Sequence, residues 1–274
     1  MNVDNKDSYK YFACKYENII KGNKMRIHGF VKYVTFSFLF AAAINACGDK
    51  EIKEVQSDSA AHDFWAGDTL RDIHGIDVSH HQKEIEWDKV KAHGVTFVFV
   101  KATEGIDYID TMFSYNWKNL EREKMIRGAY HFFVSDDDPE QQAEWFVKNV
   151  GSFENILPPV IDAERAGHQK ITPEQYRDKL IKCLVHIEKL TGKLPIIYSG
   201  PNFAEKYLAH QDFGKYKLWI AEYGVDQPKI PDPWQNNGWQ FWQNTFKATV
   251  PGVPAEVDRN IFSDKFHKLL EMVN

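Results

Sequence analysis

The chain has 274 residues, 43% of them hydrophobic and 27% charged, a balance that fits a globular core and excludes wholesale disorder or a collagen-like repeat. A net charge of −5 argues against a nucleic-acid partner held by phosphate neutralisation. Three cysteines are too few for a disulfide scaffold, whereas 8 Trp, 12 Tyr and 19 Phe suit a large core or a sugar-binding cleft.

The first 46 residues read as a signal region. They hold seven of the 34 basic residues, and an apolar run over 33–46 follows this basic head. The run has the length of a secretory apolar segment and is short for a membrane span. It closes on Ile44-Asn45-Ala46-Cys47, which resembles a bacterial lipobox with Asn45 in place of a small residue. The resemblance implies a lipidated Cys47, a membrane anchor and an exported protein facing the periplasm or held on the outer membrane. Met25 begins a more ordinary signal, so 1–24 reads as an over-extended start. Residues 47–70 show no sustained period and read as a flexible tether. The remaining 71–274 form the expected catalytic domain.

From His74 onward apolar runs alternate with amphipathic stretches. Strands are expected over 74–79, 97–102, 127–133, 159–164 and 194–199. Helices are expected over 87–92, 111–123, 139–150, 173–190 and 202–208. Thr172-Pro173 is a helix start, with Thr as N-cap and Pro in the first turn, and Gly192 is a stop. The rhythm then changes to strands over 218–223, 239–244 and 257–262 joined by loops, and a last helix over 263–272. Five βα units followed by three strands predict an α/β fold with a parallel sheet: an irregular, flattened, eight-stranded (β/α) barrel of TIM-barrel type. Cys183 falls in a helix and reads as a small buried hydrophobe.

In such barrels the C-terminal strand ends face the active-site mouth. Acids fall there at Asp77 in HGIDVSHH, at Asp162 and Glu164 in PPVIDAE, and at Asp258 in EVDRN. Asp162 and Glu164 lie two apart and so share one strand face. A carboxylate in a barrel interior is costly unless protonated or hydrogen-bonded, and close carboxylates raise one another's pKa. A protonated carboxyl beside an ionised one is the pair that glycoside cleavage uses. Structural pairing with Lys, Arg or loop backbone is the alternative for acids so placed. His80 and His81, as neighbours on a strand, would face opposite ways and cannot easily share one ion, although with His74 the set could give two ligands on one face. His131 reads as a core histidine.

The segments HGIDVSHHQ, FVFVKATEGIDYID, IRGAYHFF, PPVIDAE, LPIIYSG, LWIAEY, WQFWQ and VDRNIF resemble, in order, glycoside hydrolase family 25, the N-acetylmuramidases of the Chalaropsis and Cellosyl lysozyme type. The run Lys101–Asp110 is the most specific piece. The pattern departs at Lys83, where Gly, Pro or Glu is usual, a change that bears on loop geometry. The resemblance implies a groove across the barrel mouth, no metal or cofactor, and cleavage of the β-1,4 bond between N-acetylmuramic acid and N-acetylglucosamine in peptidoglycan. It implies Glu164 as proton donor, Asp162 as the residue holding the 2-acetamido group, and Asp77 and Asp258 as the remaining floor carboxylates. The acetamide oxygen or a water held by Asp77 or Asp258 would then attack C1. Tyr130, Tyr198, Trp219, Tyr223 and Trp242 are expected to touch sugar, with packing of the barrel as their alternative. Glu104 either touches substrate or pairs with Lys101. The expected partners are glycan strands and, through Cys47, a membrane, with the chain a monomer. Two other functions fit less of the pattern: a non-catalytic peptidoglycan-binding lipoprotein, and a chitinase-like hydrolase of N-acetylglucosamine polymers.

Overall fold

Side chains alternate in and out along strands whose backbones hydrogen-bond into one closed sheet. The computed structural model describes residues 73–165, 167 and 171–273, so the expected signal region, Cys47 and the tether lie outside the described residues. The strands are β1 (Ile73–Val78), β2 (Phe97–Glu104), β3 (Tyr108–Ile109), β4 (Ile126–Phe132), β5 (Val160–Asp162), β6 (Ile196–Ser199), β7 (Lys217–Ala221), β8 (Phe241–Ala248) and β9 (Val257–Phe262). The helices are α1 (Trp87–Ala92), α2 (Phe113–Arg122), α3 (Pro139–Val150), α4 (Pro173–Thr191), α5 (Pro201–Tyr207) and α6 (Phe266–Val273). The order β1-β9-β8-β7-β6-β5-β4-β2, closed by a β1–β2 pairing, makes the expected eight-stranded barrel, with β3 an additional short strand on the edge of β2.

Helix starts follow the local chemistry. Thr172 Oγ1 accepts from Gln175 N while the Gln175 side chain accepts from Thr172 N, and Gly192 ends α4 in the left-handed conformation. Asp138 caps α3 by accepting from Glu140 N and Gln141 N, with Pro139 in the first turn. Cys183 is buried in α4, as expected. Lys83 adopts φ 56° and ψ −147°, a region that favours glycine, so the departure from the family pattern falls on a strained backbone position.

The expectation of a wholly parallel sheet is corrected at one barrel strand, β9, and at the short edge strand β3, which runs antiparallel to β2. β9 runs antiparallel to both β8 and β1. The connection from β8 spans only 249–256, and a parallel return needs a crossover of a dozen or more residues. Among the described residues no helix follows β7 or β8, in line with the change of rhythm read from the sequence.

Alternation sorts the apolar side chains into two cores. Val98, Val100, Ala129, Ile161, Ile197, Leu218 and Ile220 face outward under the helices. Phe97, Phe99, Val160, Ile196, Trp219 and Phe241 fill the barrel interior, joined by Leu269 and Val273 of α6. Phe97 and Phe99 lie directly across from Gly75 of β1 and Gly128 of β4. A Cβ at Gly128 would stand 2.6 Å from the Phe99 ring and 3.0 Å from the Leu157 Cβ. These two glycines leave the volume that the rings occupy. Gly128→Ala is expected to destabilise the domain by about 1–3 kcal/mol through overpacking, read as a lowered denaturation midpoint with unchanged slope.

Candidate active site

Above the aromatic filling, the inward positions turn polar. A cavity of about 270 Å³ is lined by Asp77, Tyr130, Asp162, Glu164, Tyr198, Trp219, Tyr223, Gln243 and Asp258. Asp77 of β1 and Asp258 of β9 are register partners across an antiparallel pair. The mouth therefore receives Asp258 from the start of its strand, not from the end as expected, because the strand is reversed. Asp162 is the last residue of β5, and Glu164 lies just beyond it on the same side. Asp77 and Asp162 are buried, Asp258 is half-buried, and Glu164 is exposed at the rim.

Asp77 receives two amide donors on one oxygen. Gln243 Nε2 donates to Asp77 Oδ2 at 2.8 Å, and Asn260 Nδ2 donates to it at 2.7 Å. Tyr198 Oη donates to Gln243 Oε1 at 3.0 Å, and Tyr223 Oη donates to the same oxygen. Trp219 Nε1 donates to Asn260 Oδ1 at 2.7 Å. By contrast, Asp162 Oδ1 is buried and has no hydrogen-bond partner among the described residues.

Burial raises the proton affinity of all four acids, and repulsion from neighbouring acids adds to it at Asp77, Asp162 and Asp258. Burial pushes Asp77 up to about 6 against the two amide donors, with Glu164 adding to the rise. Burial, then the charge of Asp77, pushes Asp258 up to about 8. Asp162 rises well above the usual carboxylate range through burial and the charge of Glu164. Glu164 rises by desolvation, opposed by Arg165 and Lys101. Burial and the surrounding acids hold the Tyr130 phenol neutral, so it remains a donor. The cavity thus holds carboxyl groups that keep protons near neutrality beside an amide-supported carboxylate.

The other expected residues are placed as follows. Tyr130, Tyr198, Trp219 and Tyr223 line the cavity. Trp242 does not. It faces outward between Phe241 and Gln243, and its Nε1 donates to Glu222 O at 2.8 Å. Strand alternation is the reason, since Phe241 and Gln243 take the inward positions of β8. Glu104 lies outside the lining and pairs with Lys101 at 2.7 Å. His80 and His81 sit on a short 3-10 turn, not on a strand, with rings 4.0 Å apart, and His80 Nδ1 lies 2.7 Å from Asp110 Oδ2. His131 is buried between Thr103 and Gln142, and burial lowers its pKa to about 4. Sequence reasoning passed over Gln243 and Asn260. Their signal was parity: Gln243 is two residues from inward Phe241, and Asn260 two from Asp258.

The family model for glycosyl hydrolases family 25 matches residues 76–253. The chain belongs to this family. It is a glycoside hydrolase. The chain is 32% identical over 212 residues to Lysozyme M1 of Streptomyces globisporus, covering 74% of this chain and 71% of that one. It is 36% identical over 209 residues to the uncharacterised protein YegX of Escherichia coli K12, covering 74% of each. Among solved structures, the bacterial lysozyme from Streptomyces coelicolor superposes with a TM-score of 0.71 at 33% identity, covering 75% of this chain and 99% of that one.

The raised acids predict a pH effect on stability in this family 25 barrel. Asp258 binds its proton more tightly in the folded chain, at about 8, than at its ordinary 3.8, so the folded state holds the extra proton between those values. Its contribution to stability is present at acid pH and is lost as pH rises through about 8. Asp258→Asn is expected to raise Tm at pH 8 by a few degrees and to change it little at pH 4, measured by thermal unfolding at both pH values.

Proposed function

We propose that this family 25 hydrolase is an N-acetylmuramidase, cutting peptidoglycan between N-acetylmuramic acid and N-acetylglucosamine, with Glu164 as proton donor. The observation that carries the reading is one cavity with four carboxyls of raised proton affinity, of which Glu164 alone is exposed at the rim. A donor must reach the glycosidic oxygen, and an acid with a raised pKa keeps the proton to give. The lysozyme relatives supply the substrate class.

In this reading Glu164 protonates the bridging oxygen, the C1–O bond breaks, and positive charge develops at C1. The 2-acetamido oxygen attacks C1 from within the same sugar. The acetamide N–H is held by Asp162 Oδ1, which gives that buried oxygen the partner it lacks among the described residues. Water then attacks C1, giving its proton to the Glu164 carboxylate. Asp77 supplies negative charge below the ring, and the neutral Tyr130 hydroxyl donates toward substrate oxygens. Tyr198, Trp219 and Tyr223 form the aromatic wall, while Glu104 pairs with Lys101 and adds its charge to the rise of Asp162.

Glu164→Gln is expected to bind insoluble peptidoglycan as the wild type does and to lose at least 10²–10⁴-fold in turnover, about the contribution of a general acid. Mass spectrometry of wild-type products should show muramic acid at the new reducing ends. Near wild-type turnover in the variant removes Glu164 from this role. N-acetylglucosamine reducing ends identify a different bond, and no products from wild type identify a binding protein.

The proposed location is the bacterial envelope, with Cys47 lipidated. Cys47→Ser is expected to abolish incorporation of labelled fatty acid and to move the protein from the membrane to the soluble fraction. Unchanged labelling rejects the anchor.

A further inference from the structure

The acids of the cavity are alike in chemistry, yet one is treated differently by its neighbours. Asp77 Oδ2 accepts from two side-chain amides, whereas Asp162 Oδ1 accepts from none among the described residues. An amide can turn over and present either its oxygen or its nitrogen. Here neither can. The indole N–H of Trp219 is a donor only, so Asn260 must offer it Oδ1 and must send Nδ2 to Asp77. Two phenol hydroxyls donate to Gln243 Oε1, and Nε2 is thereby the group turned to Asp77, where a carboxylate oxygen can only accept. Tyr198, Trp219, Gln243 and Asn260 are all buried, so a reversed Asn260 would set two buried donors against each other at Trp219, and a reversed Gln243 would set its oxygen against the Asp77 carboxylate.

We propose that Gln243 and Asn260 are positioning residues that fix Asp77 as the standing anion of the cavity and thereby leave the shared protons on the other acids. The proposal rests on the muramidase reading above. Donors favour the charged form of a carboxyl, and charge-assisted hydrogen bonds are the stronger ones. The chain Trp219 to Asn260 to Asp77, and the chain Tyr198 and Tyr223 to Gln243 to Asp77, point every proton at one carboxylate. With Asp77 ionised, its charge opposes ionisation of Asp258 across the strand pair and of Asp162. Glu164 also faces it, Lys101 lowers the proton affinity of Asp162 and Glu164, and the Tyr130, Tyr198 and Tyr223 phenols stay protonated. Removing a donor from Asp77 shifts negative charge toward Asp162, Asp258 and Glu164, and drains the proton donor.

The test compares full-length wild type with Gln243→Met, which keeps side-chain length and removes the donor. The Asp77 carboxyl is followed by carbon NMR as pH is raised, and peptidoglycan turnover is measured over the same range. The expected result is an Asp77 midpoint at least about one pH unit above wild type, the size of a lost carboxylate hydrogen bond. The acidic limb of kcat/KM should move upward with it. At the optimum, kcat should fall at least tenfold while KM changes by less than about threefold. Where Gln243→Met does not accumulate, Tyr198→Phe, which keeps the ring, should move the same limb in the same direction by less. An unmoved Asp77 midpoint and acidic limb overturn the proposal, even if activity and Tm fall, since loss of packing alone would leave both in place. Failure of the underlying reading is separate: there, Glu164→Gln keeps its turnover, whatever Gln243→Met does.

Discussion

The reversed pairing of β9 with β1 is the constraint on which the site depends. It sets Asp77 directly opposite Asp258 and brings Asn260 into reach of the same Asp77 oxygen. Close carboxylates in a poorly solvated floor cannot all ionise. The barrel thus accepts a destabilising cluster at the mouth, held by closure of the sheet beneath it. Were β9 parallel, its start would lie at the opposite end of the barrel and Asp258 would be far from the other acids.

The interior is layered by the same alternation. Below, Phe97, Phe99, Trp219 and Phe241 fill the volume so tightly that Gly75 and Gly128 must lack a side chain. Above, the next inward positions are Asp77, Tyr130, Asp162, Tyr198 and Gln243. Trp219 belongs to both layers: its ring stacks at 4.4 Å on Phe99, and its indole N–H enters the polar network through Asn260. The packed lower layer holds the rings, and the rings hold the amides. This rigidity suits a site in which charge placement carries the chemistry.

Much of the site was legible because acids at strand ends are conspicuous in apolar runs. Asp77, Asp162, Glu164 and Asp258 all reach one cavity, and Tyr130, Tyr198, Trp219 and Tyr223 line it with them. Trp242 was misplaced because an aromatic residue beside a candidate site looks like a contact until its strand parity is set by Phe241. Gln243 and Asn260 were passed over for the opposite reason. Neutral amides carry no signal of their own, and their role exists only through partners 166 and 183 residues away in the chain.

Local sequence determined the alternation of strands and helices, the cap at Thr172, the stop at Gly192 and the missing helices late in the chain, since these rest on neighbouring residues and short-range sterics. It also held the motifs that place the chain in its family. Only the tertiary structure decided the direction of β9, the face of each β8 side chain and the convergence of two amides on Asp77. Those outcomes depend on closing a sheet between its first and last strands, and no short window of sequence contains both edges.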